Sequence, residues 1–212
     1  MNDVHDQQWD VVGRRVREAR LATGISVREL ARRVGVSPSH VSQVERGIGA
    51  FSVPALYAVS REIDLSLHDL LAAPGARQAA PAPAAAAPFQ DLDTDGVVQR
   101  AEDHPGIQLS SGPRWRRLTA TSEADAEFLE VVYQPGTMVP GDWIRHDGRE
   151  YGVIIAGELN VEVEGVSTTL RAGDSIVFDS MRPHRFWNES DSVVRAIWFV
   201  RDGSALDALP PA

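Results

Sequence analysis

Residues 73–88 read APGARQAAPAPAAAAP, a tract that can neither bury a core nor sustain a helix. Each Pro in it lacks an amide proton, and its ring clashes with the preceding helical turn. Such a stretch is a linker with some polyproline stiffness, and it splits the chain into two units of small-domain size. The apolar periodicity changes across it. Over residues 11–72 apolar side chains recur at helical spacing, with Gly or Ser at the breaks. From Phe89 onward they alternate in short segments, punctuated by Pro135-Gly136, Ala172-Gly173-Asp174 and Arg182-Pro183. The pattern predicts a polar N-terminal tail (1–10), a helical domain (11–72), the linker (73–88), a β domain (89–203) and a C-terminal tail (204–212). The expected fold class is α + β multidomain.

Composition narrows the function. The chain has no cysteine, which excludes disulfides and thiolate metal sites, so any metal must be held by His and carboxylate. No apolar run is long enough to span a bilayer, and Met1 to Asp10 lacks the basic and apolar regions of a secretory signal. A cytoplasmic protein without membrane partners is expected. The net charge of -9 looks wrong for a nucleic-acid binder until it is divided. Residues 1–72 balance nine Arg against nine acids, and within them residues 11–50 hold eight Arg and three Glu. The acidic excess therefore belongs to the second half, and charge asymmetry of this kind points to nucleic-acid contact by the first.

In the helical domain, a first helix is expected over Val11–Leu21. Ser26 then caps a second helix, with Glu29 three residues on as a capping-box partner. Gly35 permits a tight turn. Ser37-Pro38 opens a third helix as cap and first-turn proline, and Gly47 ends it. Val41 and Val44 face inward, leaving Ser39, His40, Ser42, Gln43 and Arg46 outward. A fourth helix from Val53 and a short fifth over Ser66–Leu71 complete five. The segments ELARRVGVS (29–37) and VSQVERG (41–47) and the closing apolar helix resemble the XRE (Cro/C1-type) helix-turn-helix family. The resemblance implies a dimeric reader of an operator in double-stranded DNA. It places Ser39, His40, Ser42 and Gln43 at or near base edges and Arg28, Ser37 and Arg46 at phosphates. Val27 stands where the family often has a phosphate-binding Gln, and Glu45 reads as an internal capping carboxylate rather than a DNA reader.

In the β domain, His146, Glu150 and Gly157 have the spacing of a first motif, and Pro183, His184 and Asn188 that of a second. These residues resemble the cupin superfamily, which implies a double-stranded β-helix (jelly-roll) barrel. Ile144 replaces the motif's first His, and Asp179 its usual proline. One consequence is a barrel that binds an organic effector without metal. The other is a facial triad of His146, Glu150 and His184 with open coordination positions, which favours Fe(II) among the divalent ions, with Zn, Ni and Mn also compatible. Arg145, Arg149, Arg182 and Arg185 are candidates for holding an anionic ligand or for a solvated rim.

Two functions follow. In the first, the chain is a sequence-specific transcriptional regulator, a homodimer whose cupin domain senses a small-molecule effector. In the second, it is a mononuclear non-haem iron enzyme resembling the hydroxypropylphosphonate epoxidase family, which joins a helical domain to a cupin with the same ligand set. That family meets the substrate phosphonate with a lysine, and all 21 basic residues here are Arg.

Overall fold

A computed structural model describes residues 3–65, 69–70, 91–110, 112–120, 123, 126–137 and 143–201, with side-chain surroundings from Trp9 onward. Four helices are present among the described residues: α1 (Asp3–Ala22), α2 (Val27–Val34), α3 (Pro38–Val44) and α4 (Val53–Glu62). Of the expected fifth, only Asp69 and Leu70 fall among the described residues and both are helical. The linker and the C-terminal tail lie outside the described residues.

The short helices form where their caps are. Ser26, Ser37 and Ser52 each accept a hydrogen bond from the backbone N–H three residues on, and Pro follows as an early residue of α3 and α4. Gly35 ends α2 in the left-handed region, at φ 73°, which a Cβ would disfavour. The expected capping box does not close. Glu29 turns along its own helix to Arg32 (2.7 Å) and Arg33 (2.8 Å), two guanidiniums within one turn that outcompete a single backbone N–H. Those pairs hold its carboxyl at about 2.

A second correction concerns the N-terminus. The first helix begins at Asp3, not Val11, and the segment expected to be a polar tail is helical. Trp9 is the reason: its side chain is buried, meets Phe51 edge to face, and donates from Nε1 to the Gln108 carbonyl at 2.8 Å.

Among the described residues the β domain has nine strands: β1 (Gly106–Gln108), β2 (Arg114–Arg117), β3 (Ala126–Tyr133), β4 (Arg149–Ala156), β5 (Glu158–Val163), β6 (Val166–Arg171), β7 (Ser175–Asp179), β8 (His184–Trp187) and β9 (Val194–Arg201). They pair antiparallel in a six-stranded sheet, β1-β2-β3-β9-β4-β7, and a three-stranded sheet, β6-β5-β8. Alternation along β9 and β4 buries every second side chain between the sheets, among them Ile154, Ala196, Trp198 and Val200. Among the described residues regular β pairing begins at Gly106.

The helical domain docks on the barrel. Besides Trp9, the Ser110 N–H donates to the Phe51 carbonyl at 3.2 Å, and Tyr57 of α4 meets Trp115 of β2 edge to face.

Candidate functional site

A chamber open at its mouth is lined largely by aromatic and aliphatic side chains from α4, β2, β3, β8 and β9. At its polar end three side chains converge. His146 lies in the loop before β4, Glu150 is the second residue of β4, and His184 opens β8. The strand pairing explains how residues so far apart in sequence meet. The backbones of Ile144 and His184 bond reciprocally (2.9 and 3.1 Å), and the His146 N–H donates to Ser180. Ligand atoms of the three side chains lie within 4.8 Å of one another.

Hydrogen bonding fixes which atoms face the centre. Nδ1 of His184 is 2.9 Å from the Arg182 carbonyl and Nδ1 of His146 is 3.1 Å from that of Asp147. A carbonyl only accepts, so each Nδ1 carries a proton, and in the neutral ring each Nε2 presents a lone pair. Both lone pairs point at Glu150 Oε1, at 2.8 and 3.1 Å. The other carboxylate oxygen, Oε2, accepts from Trp198 Nε1 at 2.6 Å. His146 Nε2 and Glu150 Oε1 are buried without a hydrogen-bond partner. Lone pairs of two nitrogens and an oxygen meeting in an apolar chamber repel unless a proton or a cation lies among them. Burial pushes the Glu150 carboxyl up, but when the two rings are protonated the hydrogen bonds that His146 and His184 donate to it outweigh burial and hold the group at about 2. The donor set fits a divalent cation in place of those protons: two imidazole Nε2 atoms and a carboxylate oxygen, each group oriented by an outer partner.

Other chamber groups are neutral. Burial, reinforced by the Glu150 carboxylate, raises the Tyr57 and Tyr133 phenols and keeps them protonated. The four arginines considered as anion holders are elsewhere: none is among the chamber-lining residues. Arg182 pairs with Glu164 at 2.8 Å, while Arg185 lies between Trp143 and Trp187 and pairs with Glu162. Arg145 and Arg149 are exposed. Asn188 is buried as a loop lock, donating to Tyr133, Gln134 and Ser192 carbonyls. Asp179 caps the Met181 N–H at 2.9 Å.

Sequence spacing did not disclose Trp198 or Gly152. A Cβ on Gly152 would come within 2.3 Å of the Trp198 ring, so the glycine makes room for the indole that orients Glu150. Gly152→Ala is expected to cost about 1–3 kcal/mol through overpacking. It should also weaken divalent-metal binding by displacing the Glu150 donor. Chemical unfolding alongside a cobalt titration checks both.

On the helical domain, Arg28, Ser37, Ser39, Gln43 and Arg46 are exposed, whereas Ser42 is half-buried. His40 departs from the expected outward placement: half-buried, it packs edge to face on Phe51 at 5.5 Å. The Ser37 hydroxyl is engaged by the His40 N–H and by Ser39 Oγ, and Arg46 Nε donates to the Ser42 carbonyl. Glu45 is internal as expected, but it pairs with Arg20 rather than capping a helix.

The chain therefore joins a helix-turn-helix domain of the XRE type to a cupin domain. Residues 16–70 match the helix-turn-helix family and residues 129–200 the cupin domain family. Among particular proteins, it is 25% identical to the HTH-type transcriptional regulator PuuR of Escherichia coli (strain K12), over 87% of this chain and 91% of that one. The crystal structure of an HTH_3 family transcriptional regulator from Vibrio cholerae superposes with a TM-score of 0.59 at 15% identity, covering 93% of this chain and 98% of the other. Hydroxypropylphosphonic acid epoxidase from S. wedmorenis gives a TM-score of 0.44 at 18% identity, covering 90% of this chain and 97% of the other.

Proposed function

We propose that the protein is a DNA-binding transcriptional regulator that acts as a homodimer and whose cupin chamber holds a divalent metal and, with it, a small effector. The observation that carries this reading is the face of α3. A capped short helix, seated by Val41 and Val44, presents Ser39 and Gln43 to solvent, and Arg46 is exposed in the turn that follows it. This is how a recognition helix enters a major groove. Gln43 suits bidentate pairing with adenine, Ser39, Ser42 and His40 lie near it, and Arg28, Ser37 and Arg46 are placed for phosphates. PuuR, similar over most of its length, is itself named a transcriptional regulator.

The metal reading rests on His146 Nε2 and Glu150 Oε1, both buried without a hydrogen-bond partner, and on His184 Nε2 lying 3.1 Å from that oxygen. His146, Glu150 and His184 would hold the ion. Fe(II) is the geometric favourite, with Zn, Ni and Mn compatible. The bound ion would supply a Lewis-acid contact for an effector's donor atom. The epoxidase reading lacks its phosphonate-binding lysine, since the chain has none.

Dimerisation has a suitable surface. On the outer face of the large sheet, Val177, Tyr151, Phe199 and Phe128 stand opposite one another across β7, β4, β9 and β3, each more than a third exposed. One domain of this size contacts few base pairs, so a dimer raises discrimination.

Selection of random DNA duplexes with the full chain tests the reading. The expected winner is an inverted repeat with half-sites about 34 Å apart, one helical turn. Gln43→Ala should weaken its binding by about 1–3 kcal/mol and relax one position in each half-site. Absence of any enriched sequence would sink the proposal.

A further inference from the structure

Helix α4 belongs to two cores at once. Leu56 and Val59 are buried within the helical domain, facing α2, while Val53 and Tyr57 line the barrel's chamber. Tyr57 lies flat on the imidazole of His146, with ring centroids 4.0 Å apart and planes 4° from parallel. The same ring meets Trp115 at 6.1 Å. A residue of the DNA-binding domain therefore covers one face of the side chain whose Nε2 points at Glu150. From α4 the chain leads back through residues 45–52 to the recognition helix.

We propose that the ligand site is composite: the helix-turn-helix domain supplies Tyr57 as the cover of the triad, and occupancy of the chamber is transmitted through Tyr57 to α4 and thence to α3. This deepens the regulator reading and rests on it. Tyr57 acts through His146, so it is a positioning residue. Coordination at His146 Nε2 fixes the imidazole plane against which Tyr57 packs. An occupant of the chamber beside the ion packs against Tyr57 and Val53, which form that wall. Coupling of this kind is reciprocal: whatever DNA does to the seating of α4 changes metal affinity by the same factor.

The test uses the full chain loaded with Co(II). Chelator should strip cobalt about tenfold faster from Tyr57→Ala than from wild type, the loss typical of removing an outer partner of a metal ligand. Tyr57→Phe, which keeps the ring, should release it at the wild-type rate. Tyr57→Leu repeats the fast release with less disturbance of packing. Hydrogen exchange gives the second readout. Amides of α4 should exchange more slowly on cobalt loading, and faster in metal-free His146→Ala, where Tyr57 loses the ring beneath it. A wild-type release rate in both Tyr57→Ala and Tyr57→Leu overturns the proposal, as does α4 exchange indifferent to His146→Ala. If wild type takes up no cobalt, the metal reading alone falls, and exchange in His146→Ala still decides the Tyr57 contact.

Discussion

Glu150→Gln is expected to remove the divalent metal from the protein, taking near-stoichiometric occupancy to none measurable. The reason lies in the geometry of the three donors. Nδ1 of both histidines is committed to a backbone carbonyl, so Nε2 is the atom each can offer. Glu150 Oε1 is the anion on which those two lone pairs converge. A glutamine keeps the volume but removes the charge; its amide oxygen can accept from Trp198 Nε1 while its amide nitrogen faces the imidazoles, where it cannot ligate a cation. The affinity loss should exceed the 10–100-fold typical of deleting an outer partner. His146→Ala and His184→Ala should behave alike, and Trp198→Phe should fall within that 10–100-fold range, since it frees Oε2 without touching a donor. The measurement is elemental mass spectrometry on protein purified without chelator or affinity metal. Metal retained at wild-type level in the three donor variants would place the ion elsewhere. Wild type repeatedly free of metal would leave a barrel that binds an organic effector directly. A stability measurement gives an independent reading. An ion present at a hundred times its dissociation constant stabilises the folded chain by about 2.7 kcal/mol, and Glu150→Gln should abolish that increment.

What could be read from the chain before any coordinates follows the range of the interactions involved. Caps are local: Ser26, Ser37 and Ser52 each hydrogen-bond three residues ahead, so their pattern is visible in a short window. The triad was legible because family spacing encodes it, four residues from His146 to Glu150, with His184 in a second motif. Trp198, 48 residues from the carboxylate it orients, and Tyr57, in another domain from the histidine it covers, leave no periodic trace. The N-terminal helix was misjudged for the same reason. The residues from Asp3 to Asp10 are polar, and what anchors them is Trp9 bonding to a strand 99 residues away. Glu29 shows the opposite failure. Its spacing from Ser26 suits a capping box, but Arg32 and Arg33 on the same turn are stronger partners. Glu162, between the apolar Val161 and Val163 of β5, is buried, covered by Arg185. Local rules fail where a second charge or a second domain competes for the same group.

Glu45→Ala should be among the most destabilising single changes in the helical domain, costing about 3–5 kcal/mol, the usual penalty for breaking a buried ion pair from one side. Arg20, in the last turn of α1, grips Glu45 with two nitrogens, Nε at 2.5 Å and Nη2 at 2.9 Å, and both side chains are nearly inaccessible to solvent. Its Nη1 also donates to the Ile25 carbonyl at the turn before α2. Removing Glu45 strands a buried guanidinium, whereas removing Arg20 strands a carboxylate and a carbonyl together. Arg20→Ala should therefore be at least as costly as Glu45→Ala. The double replacement Arg20→Met with Glu45→Leu should recover much of the loss, because apolar pairs of similar volume replace buried ion pairs at little cost. Chemical unfolding of the full chain checks this, read separately for helical and β signals, with cobalt binding as the control for an intact barrel. Single changes within about 0.5 kcal/mol of wild type would show that the pair is solvated and structurally idle. The pair's position gives the measurement a functional side. Glu45 is the residue at which α3 ends, so its bond to α1 sets the angle at which Gln43 and Ser39 leave the domain. Glu45→Gln, which keeps a hydrogen bond but not the charge, should weaken operator binding while metal content stays at the wild-type level.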